Sequence, residues 1–269
     1  MTRSAIAAAA ALLLLFSPAD AQGRDASEVV EAEVRPGWRT ETGTHMAALH
    51  LRLAQGWKTY WRAPGDAGIP PRFDWSGSHN LAGVRLHWPR PSVFDTAGLR
   101  TIGFADELVL PMEFSLRDPA APAQISATVE LGVCETVCIP VTLRIDAELP
   151  SGGEEDARIA GALADRPQPA QSAGLRRADC TVEPIADGLR VTAWLDMPSI
   201  GADEVTVFEL SDATIWISEA HSRRNGAELT AVAEMVAETG TPFALDRSDL
   251  RITVLGDGRA VELRGCAAR

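Results

Sequence analysis

The amino-acid sequence predicts an all-β protein of two immunoglobulin-like β-sandwich domains, and three of its features favour this fold class. Apolar residues alternate with polar ones, as over residues 108–116, which is typical of half-buried strands. Glycine and proline interrupt such runs at short intervals. The pairs Asn225-Gly226 and Asp257-Gly258 each predict a two-residue hairpin turn, because these residues tolerate positive φ. Many short strands with frequent turns are typical of sandwiches.

The first 21 residues have the pattern of an export signal. Arg3 supplies a positive start, an apolar run covers residues 5–16, and Ala19-Asp20-Ala21 provides a small-x-small cleavage site. The run is about a dozen residues long, which is short of the roughly 20 that cross a bilayer. We therefore expect a signal peptide over 1–21, a periplasmic protein, and no membrane span in the mature chain.

The mature chain divides into two parts on either side of a polar segment. Residues 22–150 are predicted to form the first sandwich, which carries a cysteine pair, and residues 179–269 the second. The segment 151–178 is rich in Gly, Pro and acidic residues, which predicts an interdomain linker with a short helix over 157–164. About 248 mature residues suffice for two separate cores.

The charge pattern excludes some classes of partner. The formal net charge is −12, and Lys58 is the single lysine of the chain. An acidic chain without a basic cluster predicts that neither nucleic acid nor an anionic membrane is the partner. The sequence also has no Gly-rich phosphate loop, zinc-ligand spacing or nucleophile elbow, so we expect no cofactor and no hydrolase chemistry.

Two of the four cysteines are predicted to form a structural disulfide. An even number of cysteines in an oxidising compartment indicates disulfides. Cys180 and Cys266 lie at the two ends of the second predicted domain. A bond between them would close a loop of about 87 residues, which in the chain-entropy description stabilises a fold by about 4.6 kcal/mol.

The other two cysteines, Cys134 and Cys138, are too close in sequence for stability to be their main purpose. The same description gives about 2 kcal/mol for a five-residue ring. Residues four apart on a straight strand are about 13 Å apart, whereas a disulfide needs Cα atoms within about 7 Å. The alternating flanks therefore predict a hairpin with 135–137 as its loop and the two cysteines as its closing pair.

The predicted hairpin sets which groups surround the cysteines. The apolar pairs 133–139, 131–141 and 129–143 would face the core, and both sulfur atoms would lie on the opposite face, where a partner thiolate can attack. The nearby charges are mainly acidic, with Glu130 and Glu135 close and Arg144 the nearest basic residue in sequence. These carboxylates should raise the thiol pKa values, which favours a passive exchange pair over a self-activated nucleophile.

Two other functions fit the same cysteines. Paired thiolates also favour Cu(I), although the histidines that would complete such a site are scattered along the chain, at His45, His50, His79, His87 and His221. Alternatively, both disulfides are structural and the protein is an adhesion or assembly module.

Two motifs resemble a known family. The segment Gly56-Trp57-Lys58-Thr59-Tyr60-Trp61-Arg62-Ala63-Pro64-Gly65-Asp66-Ala67-Gly68-Ile69-Pro70-Pro71, followed by Phe73-Asp74-Trp75, resembles the N-terminal periplasmic region of DsbD and ScsB-type thiol:disulfide interchange proteins. So does Cys134-Glu135-Thr136-Val137-Cys138-Ile139-Pro140-Val141. The resemblance covers roughly residues 30–150, and the region after it more loosely.

The resemblance implies an immunoglobulin-like domain with electron-transfer activity. Cys134 and Cys138 would be its redox-active pair, with Cys138 forming the mixed disulfide. The implied partners are a thioredoxin-like or membrane thiol:disulfide interchange protein on one side and periplasmic substrate proteins on the other. The membrane and thioredoxin-like domains of the family are missing from this sequence, so we expect separate proteins to supply the electrons. The short CxxxC spacing matches the ScsB-like branch better than DsbD.

The first motif also contains residues that could shape the site. Tyr60, Trp61 and Asp66 are the candidates. For Trp57, Tyr60 and Trp61 the sequence favours packing in the core over contact with a substrate. Coverage of the cysteines by this segment is a hypothesis.

Overall fold

The computed structural model describes residues 26–96, 98–240 and 243–269, and it confirms the all-β sandwich fold. The predicted signal peptide lies outside these residues. Two pairs of sheets follow one another along the chain, which we call the N-terminal sheet pair (residues 30–149) and the C-terminal sheet pair (residues 168–268). Within the described part of the chain, no helix is long and apolar enough to cross a bilayer.

The N-terminal sheet pair contains ten strands preceded by the short helix α1, Ala26–Val29. Its strands are β1 Val30–Arg39, β2 His45–Leu53, β3 Lys58–Gly65, β4 Arg72–Asp74, β5 Leu81–Leu86, β6 Ser92–Thr96, β7 Leu99–Ala105, β8 Glu107–Leu116, β9 Ala123–Cys134 and β10 Cys138–Leu149. One sheet has the order β1-β2-β8-β5 and the other β10-β9-β3-β7-β6, with β4 also paired to β9. Apolar side chains of both sheets meet in one core, as their alternation predicts.

The predicted linker packs against the first sheet. Helix α2, Ala157–Ala164, occupies the residues predicted for it, and the Asp156 side chain caps it by accepting hydrogen bonds from two backbone N–H groups. Its Ile159 is fully buried against Met46 and Ala48 of β2. Strand β2 is therefore buried on both faces, because the core covers one face and α2 the other.

The C-terminal sheet pair begins within the segment predicted as a linker. Its strands are β11 Gln168–Pro169, β12 Arg177–Pro184, β13 Leu189–Asp196, β14 Val205–Glu209, β15 Ile215–Ile217, β16 His221–Asn225, β17 Glu228–Ala237, β18 Arg251–Gly256, β19 Arg259–Arg264 and β20 Ala267–Ala268. One sheet has the order β11-β19-β18-β14. The other has the order β15-β17-β13-β12-β20, and β16 also pairs with β17.

Both predicted hairpins exist, and one turn is displaced by a residue. Asp257 and Gly258 have φ values of 42° and 69° and connect β18 to β19, as predicted. Asn225 instead pairs with Glu228, so the turn residues between β16 and β17 are 226 and 227. Gly226 alone supplies the positive φ, at 60°. The turn therefore lies one residue later than predicted, with Gly226 as its first residue.

The two sheet pairs share a packed and charged boundary. Val205 and Leu255 of the C-terminal sheet pair belong to the hydrophobic core of the N-terminal one. Arg62 of β3 donates to Glu209 at 2.7 Å and to Glu262 at 2.5 Å. Strand β3 thus runs from the cysteine hairpin to the contact between the sheet pairs.

The second cysteine pair closes the C-terminal sheet pair. Cys180 of β12 and Cys266, just before β20, are bonded with their Cα atoms 5.8 Å apart. Strands β12 and β20 pair in parallel beside this bond. The bond therefore holds the C-terminal end of the chain against the first long strand of this sheet pair.

Candidate functional site

The first cysteine pair closes the hairpin of β9 and β10 in the predicted register. Cys134 is paired with Cys138, followed by Val133 with Ile139 and by Leu131 with residue 141. The two cysteines are bonded, with a Cα–Cα distance of 4.1 Å, and we call this bond the hairpin disulfide. The loop of residues 135–137 forms without glycine.

The two cysteines differ in their exposure to solvent. Both lie on the face opposite Val133, as the alternation predicts. Cys134 is only 2% exposed, whereas Cys138 is exposed. The expectation that both sulfur atoms are open to a partner is therefore wrong for Cys134, because neighbouring strand β3 covers it. Exchange needs access to sulfur, so the geometry favours Cys138 as the atom that an external thiolate attacks.

Tyr60 is the residue that covers Cys134. Its hydroxyl donates a hydrogen bond to Cys134 Sγ at 2.8 Å, and its Oη lies 3.4 Å from Cys138 Sγ. The side chain is 3% exposed, and this burial raises the pKa of Tyr60 above its ordinary value of 10.0. The phenol therefore remains a neutral hydrogen-bond donor to sulfur at physiological pH.

Lys58 neighbours the cysteine hairpin through its backbone, while its ammonium group contacts β6 on the other side of β3. It lies directly opposite Cys134 in the antiparallel pairing of β3 with β9. Its ammonium group lies over the ring of Phe94, 5.0 Å from the ring centre. Sequence spacing alone did not reveal that Lys58 neighbours Cys134, because the two residues are 76 positions apart.

The loop after β3, residues 66–71, packs onto the same face of the hairpin. A Cβ atom on Gly132 would lie 2.7 Å from Cβ of Ile69, so the loop rests directly on the β9 backbone. A Cβ atom on Gly68 would lie 2.9 Å from the Tyr60 ring. Both glycines are thus needed for the loop to lie this close to the hairpin and to the tyrosine.

Comparison with known proteins agrees with this arrangement. The family described as "Thiol:disulfide interchange protein DsbD, N-terminal" matches residues 26–150. Residues 26–150 form a DsbD/ScsB-type N-terminal domain. A search of curated proteins gives no match.

The shared fold extends beyond this DsbD/ScsB-type domain. The N-terminal periplasmic domain of ScsB from Proteus mirabilis has a similar structure, with a TM-score of 0.65 and 23% sequence identity. The match covers 89% of this chain and 93% of that one. The fold that the two proteins share therefore includes the C-terminal sheet pair.

The three candidate site-shaping residues of the DsbD/ScsB-type domain lie in different places. Tyr60 contacts both sulfur atoms. Trp61 points to the opposite face of β3, where it is fully buried in the core, and Arg62 stacks on its ring. Asp66 lies in the loop after β3, where its backbone N–H donates to the Arg100 carbonyl at 3.2 Å. Only the first of the three is in contact with the disulfide.

The histidines remain apart in the fold. His45 and His50 are buried in β2, and His87 shares a hydrogen bond with Glu113 at 2.9 Å. Burial lowers the pKa of His45 and His87, which favours their neutral forms. Within residues 26–96, 98–240 and 243–269, no group of three or more His, Cys, Asp or Glu side chains could hold a metal ion.

Proposed function

We propose that this protein performs thiol–disulfide exchange in the periplasm, passing electrons between partner proteins through Cys134 and Cys138. The observation that carries the proposal is the asymmetry of the pair, with an exposed Cys138 beside a Cys134 that is buried under a hydrogen-bond donor. The match of residues 26–150 to the DsbD N-terminal family supports it. The similar ScsB structure is that of a periplasmic domain, which supports the location.

The proposed reaction begins with attack on the exposed sulfur. A partner thiolate attacks Cys138 Sγ, a new bond forms between the two proteins, and the hairpin disulfide breaks with Cys134 leaving as a thiolate. The leaving sulfur already accepts the hydrogen bond from Tyr60, which favours its negative charge.

The second step releases the partner. The partner's other thiol attacks its own sulfur in the mixed disulfide and frees Cys138. The partner has then been oxidised to a disulfide, and the pair has gained two electrons and two protons as a dithiol. In the opposite direction the reduced Cys138 attacks a substrate disulfide and Cys134 resolves the intermediate. The proposed partners are thioredoxin-like or membrane thiol:disulfide interchange proteins and periplasmic substrate proteins.

A trapping experiment tests this proposal. The Cys134→Ser variant lacks the resolving sulfur, so it should accumulate a covalent complex through Cys138 when exposed to a periplasmic extract. The matched Cys138→Ser variant keeps only the buried cysteine and should trap far less. Both variants retain the Cys180–Cys266 bond, which controls for nonspecific capture.

The outcome is identified by mass spectrometry of the complexes after non-reducing separation. A peptide containing Cys138 cross-linked to a partner cysteine supports the proposal. Equal trapping by the two variants, or none where a control redox protein is trapped, contradicts it. A hairpin disulfide that resists reduction as strongly as Cys180–Cys266 would also contradict it and would favour the structural alternative.

A further inference from the structure

We propose that the groove between the two sheet pairs binds an extended basic segment of the protein that exchanges disulfides at Cys138. The groove has a volume of about 690 Å³ and is bordered by residues 62–70 on one side and by β14, β15 and their connections on the other. This inference rests on the proposed function, because the segment belongs to the exchange partner.

The groove has an apolar lining with one large side chain open to solvent. The apolar lining residues include Ile102, Val207, Phe208, Ile215, Trp216 and Ile217. Trp216 is 58% exposed, which is unusual for an indole. Tryptophan combines a large apolar surface with a polar N–H group and is enriched where proteins bind one another. An apolar side chain of the partner can therefore pack on Trp216.

A strand edge borders the groove beside this tryptophan. In the part of the chain that the structure describes, β15 pairs on one side only, with β17. The edge of β14 is partly closed, because Thr206 N donates to Ser222 Oγ of β16 at 3.2 Å. Edge N–H and C=O groups bind an added extended strand. The N–H of Ile215 already donates to the Asp212 carbonyl at 3.3 Å. The rest of the β15 edge is thus the place where a partner segment can add in extended conformation.

The charges in the groove favour a basic segment. Its two arginines are already paired: Arg62 contacts Glu209 and Glu262 of the C-terminal sheet pair, and Arg100 contacts Glu219. Further carboxylates line the groove at positions 66, 212 and 238. Carboxylates therefore outnumber guanidinium groups, and the local field attracts a cation.

Two of these carboxyl groups face each other directly. Asp66 of the loop and Glu219 of the C-terminal sheet pair both line the groove, close enough for Asp66 to raise the pKa of Glu219. Burial raises the pKa of Glu219, and the neighbouring carboxylates Asp66 and Asp95 act in the same direction, while Arg100 opposes them. A lysine or arginine side chain inserted here would offset the repulsion between the two carboxylates.

The groove is one loop away from the hairpin disulfide. Gly68 lines the groove and packs on the ring of Tyr60, and the hydroxyl of that tyrosine contacts both sulfur atoms. A partner segment held in the groove would keep the partner's cysteine near Cys138. The groove would thereby select partners by the sequence around their cysteine.

Peptides without cysteine test the groove independently of exchange. The probes are a blocked heptapeptide, Thr-Val-Lys-Phe-Arg-Val-Thr, and the same peptide with Glu in place of Lys and Arg. Titration calorimetry of the full mature protein should show at least tenfold tighter binding of the basic peptide at low ionic strength. Trp216→Ala should weaken that binding at least fivefold. Val137→Ala, which shortens an exposed apolar side chain at the hairpin tip, is the matched control and should leave it unchanged.

Several results would overturn the inference. Equal binding of the two peptides, or binding that Trp216→Ala does not weaken, would show that the groove does not recognise a basic segment. A protein dimer that Trp216→Ala dissociates, without peptide binding, would assign the groove to a second copy of the chain. A different result is that basic peptides bind as expected while trapping at Cys138 fails. That result would support the groove as a binding site for basic segments and would show that the proposed exchange function is wrong.

Discussion

Replacing Tyr60 by Phe should slow the opening of the hairpin disulfide without exposing it. The variant keeps the ring that covers Cys134 and removes only the hydroxyl, whose oxygen is 2.8 Å from Cys134 Sγ. A hydrogen bond to a charged acceptor contributes about 1.5–3 kcal/mol. The leaving sulfur carries roughly half of its final charge in the transition state, as Brønsted slopes of about 0.4–0.5 indicate for the attacking thiol. Tyr60→Phe should therefore raise the activation free energy for reduction of the hairpin disulfide by about 0.7–1.5 kcal/mol, which lowers the rate roughly 3- to 13-fold.

The assay uses a small thiol so that no partner protein is needed. Oxidised wild-type protein and Tyr60→Phe are mixed with dithiothreitol, and free thiols are alkylated at fixed times and counted by mass spectrometry. The Cys180–Cys266 bond, which lies outside the N-terminal sheet pair, serves as the internal reference. An unchanged rate in a folded variant, or a faster one, would show that the hydroxyl does not assist the leaving sulfur. If reduction of the Cys180–Cys266 bond also slows in the variant, the substitution has changed the whole structure and not the Tyr60 hydrogen bond alone.

Three further predictions follow from burial, packing and the second disulfide. Tyr60 is the single tyrosine, so absorbance at 295 nm reports its ionisation alone, and it should titrate above pH 10.0 because burial raises its pKa. Its neutral form then contributes stability that is present below pH 10 and is lost as pH rises through the folded-state pKa, which urea unfolding against pH measures. Gly132→Ala should displace Ile69, whose Cβ would lie 2.7 Å from the new Cβ, at a cost of about 1–3 kcal/mol, and should speed reduction of the hairpin disulfide. Adding Ile69→Gly, which removes the clashing Cβ, should restore the wild-type rate, and no rescue would contradict direct packing. Replacing both Cys180 and Cys266 by Ser should lower the free energy of unfolding by up to about 4.6 kcal/mol in urea titrations, with the reduction rate of the hairpin disulfide unchanged.

Local patterns predicted the register of the hairpin but not the burial of Cys134. The alternation on either side of the cysteines fixed the register, since a shift of one residue would move every apolar side chain to the wrong face. The pairing of Val133 with Ile139 follows from that rule alone. The turn between β16 and β17 shows the limit of such patterns, because both Asn225 and Gly226 tolerate a turn and only the surrounding register placed it at 226–227.

The sequence by itself determined the all-β class, the helix over 157–164 and the hairpin that brings Cys134 to Cys138, because each follows from patterns among residues close along the chain. Tertiary structure decided which sulfur is open. Tyr60 reaches Cys134 only through the pairing of β3 with β9, and the loop at Ile69 reaches Gly132 only through packing on that face. The long-range order of strands in a sheet is not encoded in the periodicity of any one strand. The chemical inequality of the two cysteines is therefore a property of the fold, although their proximity is a property of the sequence.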